Sequence, residues 1–120
     1  MPPKKKTPTP AVAPAVIQPP TTYAVSLTPD AAQDLAAISD QATVWAIIKK
    51  AKDLDTEPLK QGKPLKGVLT NYRSVRAAGQ RYRIVYQVAV QAGQVVIVVI
   101  GIRKAGDKKD AYEVAEKRQS

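Results

Sequence analysis

Asn71-Tyr-Arg-Ser-Val-Arg-Ala-Ala-Gly-Gln-Arg-Tyr-Arg-Ile-Val-Tyr86, with the apolar run Val95-Val-Ile-Val-Val-Ile-Gly-Ile102 and Arg103 behind it, decides the fold. β-Branched and aromatic residues dominate, and Gly79 and Gly93 punctuate the gaps, so the stretch reads as two strands joined by a turn and followed by a third. Arg81 and Arg83 are two apart and project from one face of their strand, while Tyr82, Ile84, Tyr86 and Val88 project from the other. One face is expected to pack a core and the other to present guanidinium groups. The last strand is apolar on both faces and is expected to lie centrally in the sheet.

Outside this stretch the chain divides simply. Residues 1–21 hold seven of the ten prolines and the Lys4-Lys5-Lys6 run, without helical or strand period. Such a segment buries too little apolar surface to offset its ordering entropy, and is expected to be a disordered arm. Residues 22–120 form one small folded domain, since a chain of 120 residues supports a single core. Tyr23, Val25 and Leu27 alternate and predict a first strand. Thr28-Pro29-Asp30 opens a helix as N-cap, first-turn proline and favourable first-turn acid, and that helix continues through Leu35 and Ile38. Ser39 or Asp40 caps a second helix with an apolar stripe of Val44, Ile47, Ile48, Ala51 and Leu54. Trp45 lies beside the stripe and is expected to pack. Glu57-Pro58 ends the helix, Lys60 to Gly67 reads as a polar loop, and Asp110 caps a last helix reaching Arg118. The predicted fold is α+β, in the order β-α-α-β-β-β-α, with a mostly antiparallel sheet against a helical hairpin.

Charge and composition narrow the chemistry. The formal net charge is +9, and between Pro58 and Gly106 there are nine Lys or Arg residues and no Asp or Glu. A field of one sign on this scale attracts polyanions, either nucleic acid or an acidic protein segment. The chain has no Cys and no His. Disulfides and histidine-based acid–base catalysis are therefore excluded, and neither a metal site nor a cofactor is expected. Val95 to Ile102 is too short to span a bilayer, and no apolar core follows the basic N-terminus, so a cytoplasmic protein without membrane contact is expected.

The segments Pro64-Leu65-Lys66-Gly67, Tyr72-Arg73-Ser74-Val75-Arg76 and Gly79-Gln80-Arg81-Tyr82-Arg83-Ile84-Val85-Tyr86 occur in that order. They are followed by Ile100-Gly101-Ile102-Arg103-Lys104 and Asp107-Lys108-Lys109-Asp110-Ala111-Tyr112. Together they resemble the RelE/ParE superfamily of bacterial type II toxin–antitoxin toxins, over Tyr23 to about Lys117. That resemblance implies one of two activities: cleavage of messenger RNA on the ribosome, as an endoribonuclease or mRNA interferase that inhibits translation, or inhibition of DNA gyrase without nuclease chemistry. It also implies a cognate antitoxin as partner. The first activity is the expected one, with ribosome and mRNA as partners and gyrase as the alternative.

In cleavage by a 2′-hydroxyl, one group takes the hydroxyl proton, one stabilises the phosphorane charge and one protonates the leaving oxygen. Crowded Arg and Lys residues can replace histidine, because neighbouring cations lower a lysine's basicity and stabilise the anionic transition state. One such electrostatic contact is worth about 3 to 4 kcal/mol. By resemblance, Arg83 contacts the scissile phosphate, Arg103 stands near the leaving group and Tyr112 stacks on a base. Arg76 completes the expected catalytic set. Arg73, Arg81, Lys66, Lys104 and Lys108 are expected to bind RNA. The family's lysine base has no matching position, since the strand offers Arg73, Ser74 and Arg76, and arginine, with a pKa above about 12, is a poor base.

Overall fold

A computed structural model describes residues 22–104 and 106–119. The predicted arm, residues 1–21, lies outside the described residues. The elements are β1 (Ala24–Leu27), α1 (Pro29–Ala36), α2 (Gln41–Asp53), β2 (Lys63–Pro64), a 3-10 turn (Gly67–Leu69), β3 (Arg73–Ala77), β4 (Tyr82–Ala89), β5 (Gln94–Ile102) and α3 (Ala111–Gln119). They build the expected α+β architecture. The sheet order is β1-β5-β4-β3-β2, with β1 parallel to β5 and the other pairs antiparallel. β5 is interior, as its two apolar faces require, while β4 holds the middle place.

Both faces of the sheet are covered. On one, Ile47, Ala51 and Leu54 of the α2 region and Ala31 of α1 pack with Val75, Ala77, Ile84, Tyr86, Val95 and Ile97. On the other, Ala111 and Ala115 of α3 close over Leu69, Val85 and Val99. The second face is therefore not the open guanidinium surface that the Arg81/Arg83 spacing predicts. α3 buries most of it, and the arginines keep only one end.

The caps follow local chemistry. Thr28 Oγ1 accepts from Ala31 N at 3.2 Å, and Asp40, rather than Ser39, caps α2 by accepting from Thr43 N at 3.1 Å. α2 stops at Asp53, four residues before the Glu57-Pro58 signal, and Glu57 takes a positive φ of 47° in the turn beyond. Trp45 does not pack. It is 65% exposed on the outer face of α2, because the stripe that faces the sheet runs through Ile47, Ala51 and Leu54.

Two features were not expected. Within the Lys60 to Gly67 loop, Lys63 and Pro64 pair with Ser74 and Arg73 as a fifth, edge strand. Pro64 is tolerated there because an edge strand has one side free of ladder bonds. Gly62 makes that pairing possible: its φ is +62°, and a Cβ at this position would lie 2.2 Å from the Ser74 carbonyl oxygen. Gly62→Ala is expected to cost roughly 2 kcal/mol and to lift β2 off β3, visible as a lower urea midpoint and faster amide exchange at Ser74.

The second feature is a bulge in β5. Val85 pairs with Val99 but Tyr86 pairs with Ile97, so Val98 is the extra residue. The inward parity consequently switches from Val95 and Ile97 to Ile100. Gly101 and Arg103 are thereby turned onto the α3 face, where a Cβ on Gly101 would meet Ala111 Cβ at 3.5 Å.

Candidate functional site

The cationic site is assembled by cross-strand register. Arg76 lies directly opposite Arg83, and Arg83 opposite Gly101, so the three share the α3 face of the sheet. In the adjacent row Lys63 lies opposite Ser74, and Ser74 opposite Val85. Like charges facing each other across strands are destabilising, which favours an anion between them. An open cleft of about 320 Å³ is lined by Lys50, Lys63, Ser74, Arg76 and Arg83, with Gly62 and Val75 as its floor. Lys50 reaches it from α2, around the edge of β3. Among the described residues no carboxylate is within ion-pair distance of these four cations. The Arg83 guanidinium instead donates to carbonyls of its own turn, those of Gln80 and Tyr82. Arg76 Nη1 donates weakly to Gln80 Oε1 at 3.5 Å.

Arg103 and Tyr112 form a second group beside the cleft. Arg103 Nη1 donates to Asp110 Oδ1 at 2.7 Å, and the guanidinium carbon sits 4.2 Å from the centroid of the Tyr112 ring. The Tyr112 hydroxyl donates to Ser74 Oγ at 3.0 Å, so the ring spans from α3 to β3 next to the Arg76–Arg83 row. Asp110 organises the group: its side chain is 2% exposed, and it also accepts the backbone N–H groups of Lys104 and Tyr112. Burial alone would push its pKa up, but the Arg103 bond, the two backbone donors and the Arg103 charge outweigh burial and hold the carboxyl below its ordinary value.

A folded-state pKa below the unfolded one means that Asp110 stabilises the fold above the unfolded value, about pH 3.9. That contribution is lost as pH falls through the lower, folded value. Urea midpoints measured from pH 6 down to 3 should therefore fall with acid in the wild type. Asp110→Asn should be less stable at neutral pH and show a flatter acid limb.

The other sequence candidates separate from this group. Arg73 projects to the opposite face, where its Nε and Nη2 donate to the Gln61 carbonyl at 3.2 and 3.0 Å. Tyr86 OH donates toward the same carbonyl and that of Pro58, so Arg73 and Tyr86 together pin the 58–61 loop. Burial raises the Tyr86 pKa, against an opposing influence from Arg73. Arg81 is exposed, and its carbonyl accepts from Arg103 N at 2.8 Å. Lys66 and Lys108 are exposed in loops, and Lys104 pairs with Asp107 at 3.6 Å. The residues that sequence reasoning missed are Lys63, Lys50 and Ser74. Lys63 supplies an amine in the cleft where strand spacing offered none. Among the described residues no cluster suited to a metal ion occurs, and no helix is long and apolar enough to cross a membrane.

Residues 25–108 match the family model of the ParE toxin of type II toxin–antitoxin systems, parDE. The fold is similar to a chain of the toxin–antitoxin complex RelBE2 from Mycobacterium tuberculosis, at 32% identity and TM-score 0.63, over 69% of this chain and 93% of that one. The isolated E. coli RelE toxin shares the fold at 20% identity and TM-score 0.59, covering 80% of this chain and 97% of its own. A chain of the chromosomal ParDE system of P. aeruginosa shares it at 19% identity and TM-score 0.57, covering 68% and 96%. No curated protein matches by sequence.

Proposed function

Because the chain belongs to the RelE/ParE family of toxins of type II toxin–antitoxin systems, we propose that it is a ribosome-dependent messenger RNA endonuclease whose cleft takes the scissile phosphate. Its partner in the resting state is a cognate antitoxin, as in the RelBE2 complex. The observation that carries the nuclease reading is the cleft itself: Lys63, Arg76, Arg83 and Lys50 converge there with no carboxylate of the described residues to neutralise them. In the reaction the O2′–P bond forms and the P–O5′ bond breaks. Lys63 takes the 2′-hydroxyl proton, Arg83 and Arg76 stabilise the phosphorane oxygens, and Lys50, on the other wall, returns a proton to the leaving 5′ oxygen. Tyr112 and Arg103 present a stacked edge on which a neighbouring base can rest.

A second reading, a gyrase inhibitor that does no chemistry, is favoured by one observation. Arg103 is tied to Asp110 and the Tyr112 hydroxyl to Ser74, so two residues expected in catalysis are already engaged. Two assays on the purified chain divide the readings. Primer extension on translating ribosomes should reveal discrete cuts that vanish in Lys63→Ala, while gyrase supercoiling should be unaffected. Intact transcripts with blocked supercoiling would transfer the protein to the second reading.

A further inference from the structure

The cationic cleft does not end at Arg83. A second cleft of about 240 Å³ shares Lys50 and Arg76 with it and continues past the Ala78–Gly79 turn to Lys49 on α2. A third, of about 220 Å³, shares Lys49 with the second and ends on Trp45, Ile48 and Lys52. Joined through Lys50 and Arg76 and then through Lys49 and Asp53, the three lie in succession around the β3 edge, from Arg83 to the outer face of α2, and are treated as one groove. Its walls carry Arg83, Arg76, Lys50, Lys49 and Lys52, and Asp53 is its single lining carboxylate among the described residues. At its far end stands Trp45, 65% exposed. It is the only tryptophan in the chain.

We propose that this groove is the path of the single-stranded RNA beyond the scissile phosphate, with Lys49, Lys50 and Lys52 following the backbone and Trp45 stacking on an unpaired base. The inference rests on the nuclease reading and extends it to a substrate track. Two features favour RNA as occupant: the charge, since cations at short intervals match a chain that carries one phosphate per nucleotide, and the continuity with the cleft that takes the scissile group. An exposed aromatic ring at the end of a cationic groove is the arrangement by which sequence-tolerant single-strand binders hold bases. A hydrophobic stripe on α2 does not account for Trp45, because that stripe is already spent on the sheet.

Trp45 fluorescence provides the test. The full-length chain is titrated with a labelled oligoribonucleotide of roughly twelve nucleotides, a length typical of small single-strand-binding surfaces. Binding is followed by anisotropy and by quenching of the tryptophan. Expected are saturable quenching, about ten-fold weaker binding for Trp45→Ala, recovery of most of that loss in Trp45→Tyr, and a salt slope shallower by about 0.7 for each of Lys49→Gln and Lys52→Gln. Trp45 is exposed, so these variants should fold normally, which their melting curves check. If RNA binds and Arg83→Ala weakens it while Trp45 is neither quenched nor required, the track is wrong and the nuclease reading stands. Should no RNA bind at all, the track falls, while cleavage on translating ribosomes still decides the nuclease reading. Loss of antitoxin binding in Trp45→Ala with unchanged RNA affinity would identify Trp45 as a protein contact and overturn the track.

Discussion

Asp34→Ala is expected to destabilise the fold by about 3 kcal/mol, a large share of the roughly 5 to 15 kcal/mol that holds a domain folded. Asp34 lies on α1, and its carboxylate receives both guanidinium nitrogens of Arg118 from α3, Nη1 at 2.8 Å and Nη2 at 2.9 Å. It also accepts the backbone N–H of Ile100 at 3.0 Å, while Arg118 Nη1 donates to the Val98 carbonyl at 2.8 Å. Those two backbone groups belong to the bulged residue and to the residue two beyond it, past the last residue of β5 that β1 pairs with. The ion pair therefore completes the hydrogen bonding of the bulged edge and ties the first helix to the last. The side chains are only 19% and 25% exposed, so removing one partner leaves a poorly solvated charge and an unmade backbone bond. The bond to Asp34 raises the Arg118 pKa despite partial burial, and keeps it charged throughout the working range. Urea denaturation at constant slope should give Asp34→Ala and Arg118→Ala similar losses, and the double variant much less than their sum. Asp34→Asn, which still offers Ile100 an acceptor, should fall between. Asp30, 65% exposed and 3.9 Å from Arg118, should change stability by no more than about 0.5 kcal/mol when replaced. Additive losses at Asp34 and Arg118 would show that the pair does not act as a unit.

The order of elements was legible because each carries its own period or cap. Thr28-Pro29-Asp30, the 3.6-residue stripe of α2 and the alternation in β4 are local signals, and the structure obeys them. β2 was not legible, since two residues show no period and Pro64 argues against a strand. Its pairing is decided by Gly62 passing under the Ser74 carbonyl, which is a tertiary fact. Lys63 was missed with it. The bulge was hidden for a different reason: Val95 to Ile102 is apolar on both faces, so a one-residue slip changes nothing in the pattern. Arg73 and Arg76 are three apart in one strand and must face opposite ways, a point that parity alone could have settled. Asp34 and Arg118 lie 84 positions apart, and no local rule joins them. The cleft's chemistry was thus half visible: its arginines stood on a strand with clear alternation, and its lysines came from an edge strand and a helix that only packing brings together.

Arg83→Ala should reduce transcript cleavage on programmed ribosomes by about a hundred- to a thousand-fold, the equivalent of about 3 to 4 kcal/mol of lost transition-state stabilisation. Its melting temperature should hardly move, because among the described residues the guanidinium binds only carbonyls of its own turn and faces an open cleft. Arg103 supplies the contrast. It pairs with a buried carboxylate and stacks on Tyr112, so Arg103→Ala leaves Asp110 without its cation and should lower stability together with activity. The two arginines look alike in sequence, each at the end of a strand, yet one lines an open cleft and the other is spent on α3. Arg83→Lys restores charge but not the two-pronged contact, and should recover only part of the rate. Single-turnover cleavage and thermal melting of all three variants separate these roles. Wild-type cleavage by Arg83→Ala, or a loss that merely tracks its melting temperature, would remove Arg83 from the phosphate and with it the nuclease assignment of the cleft.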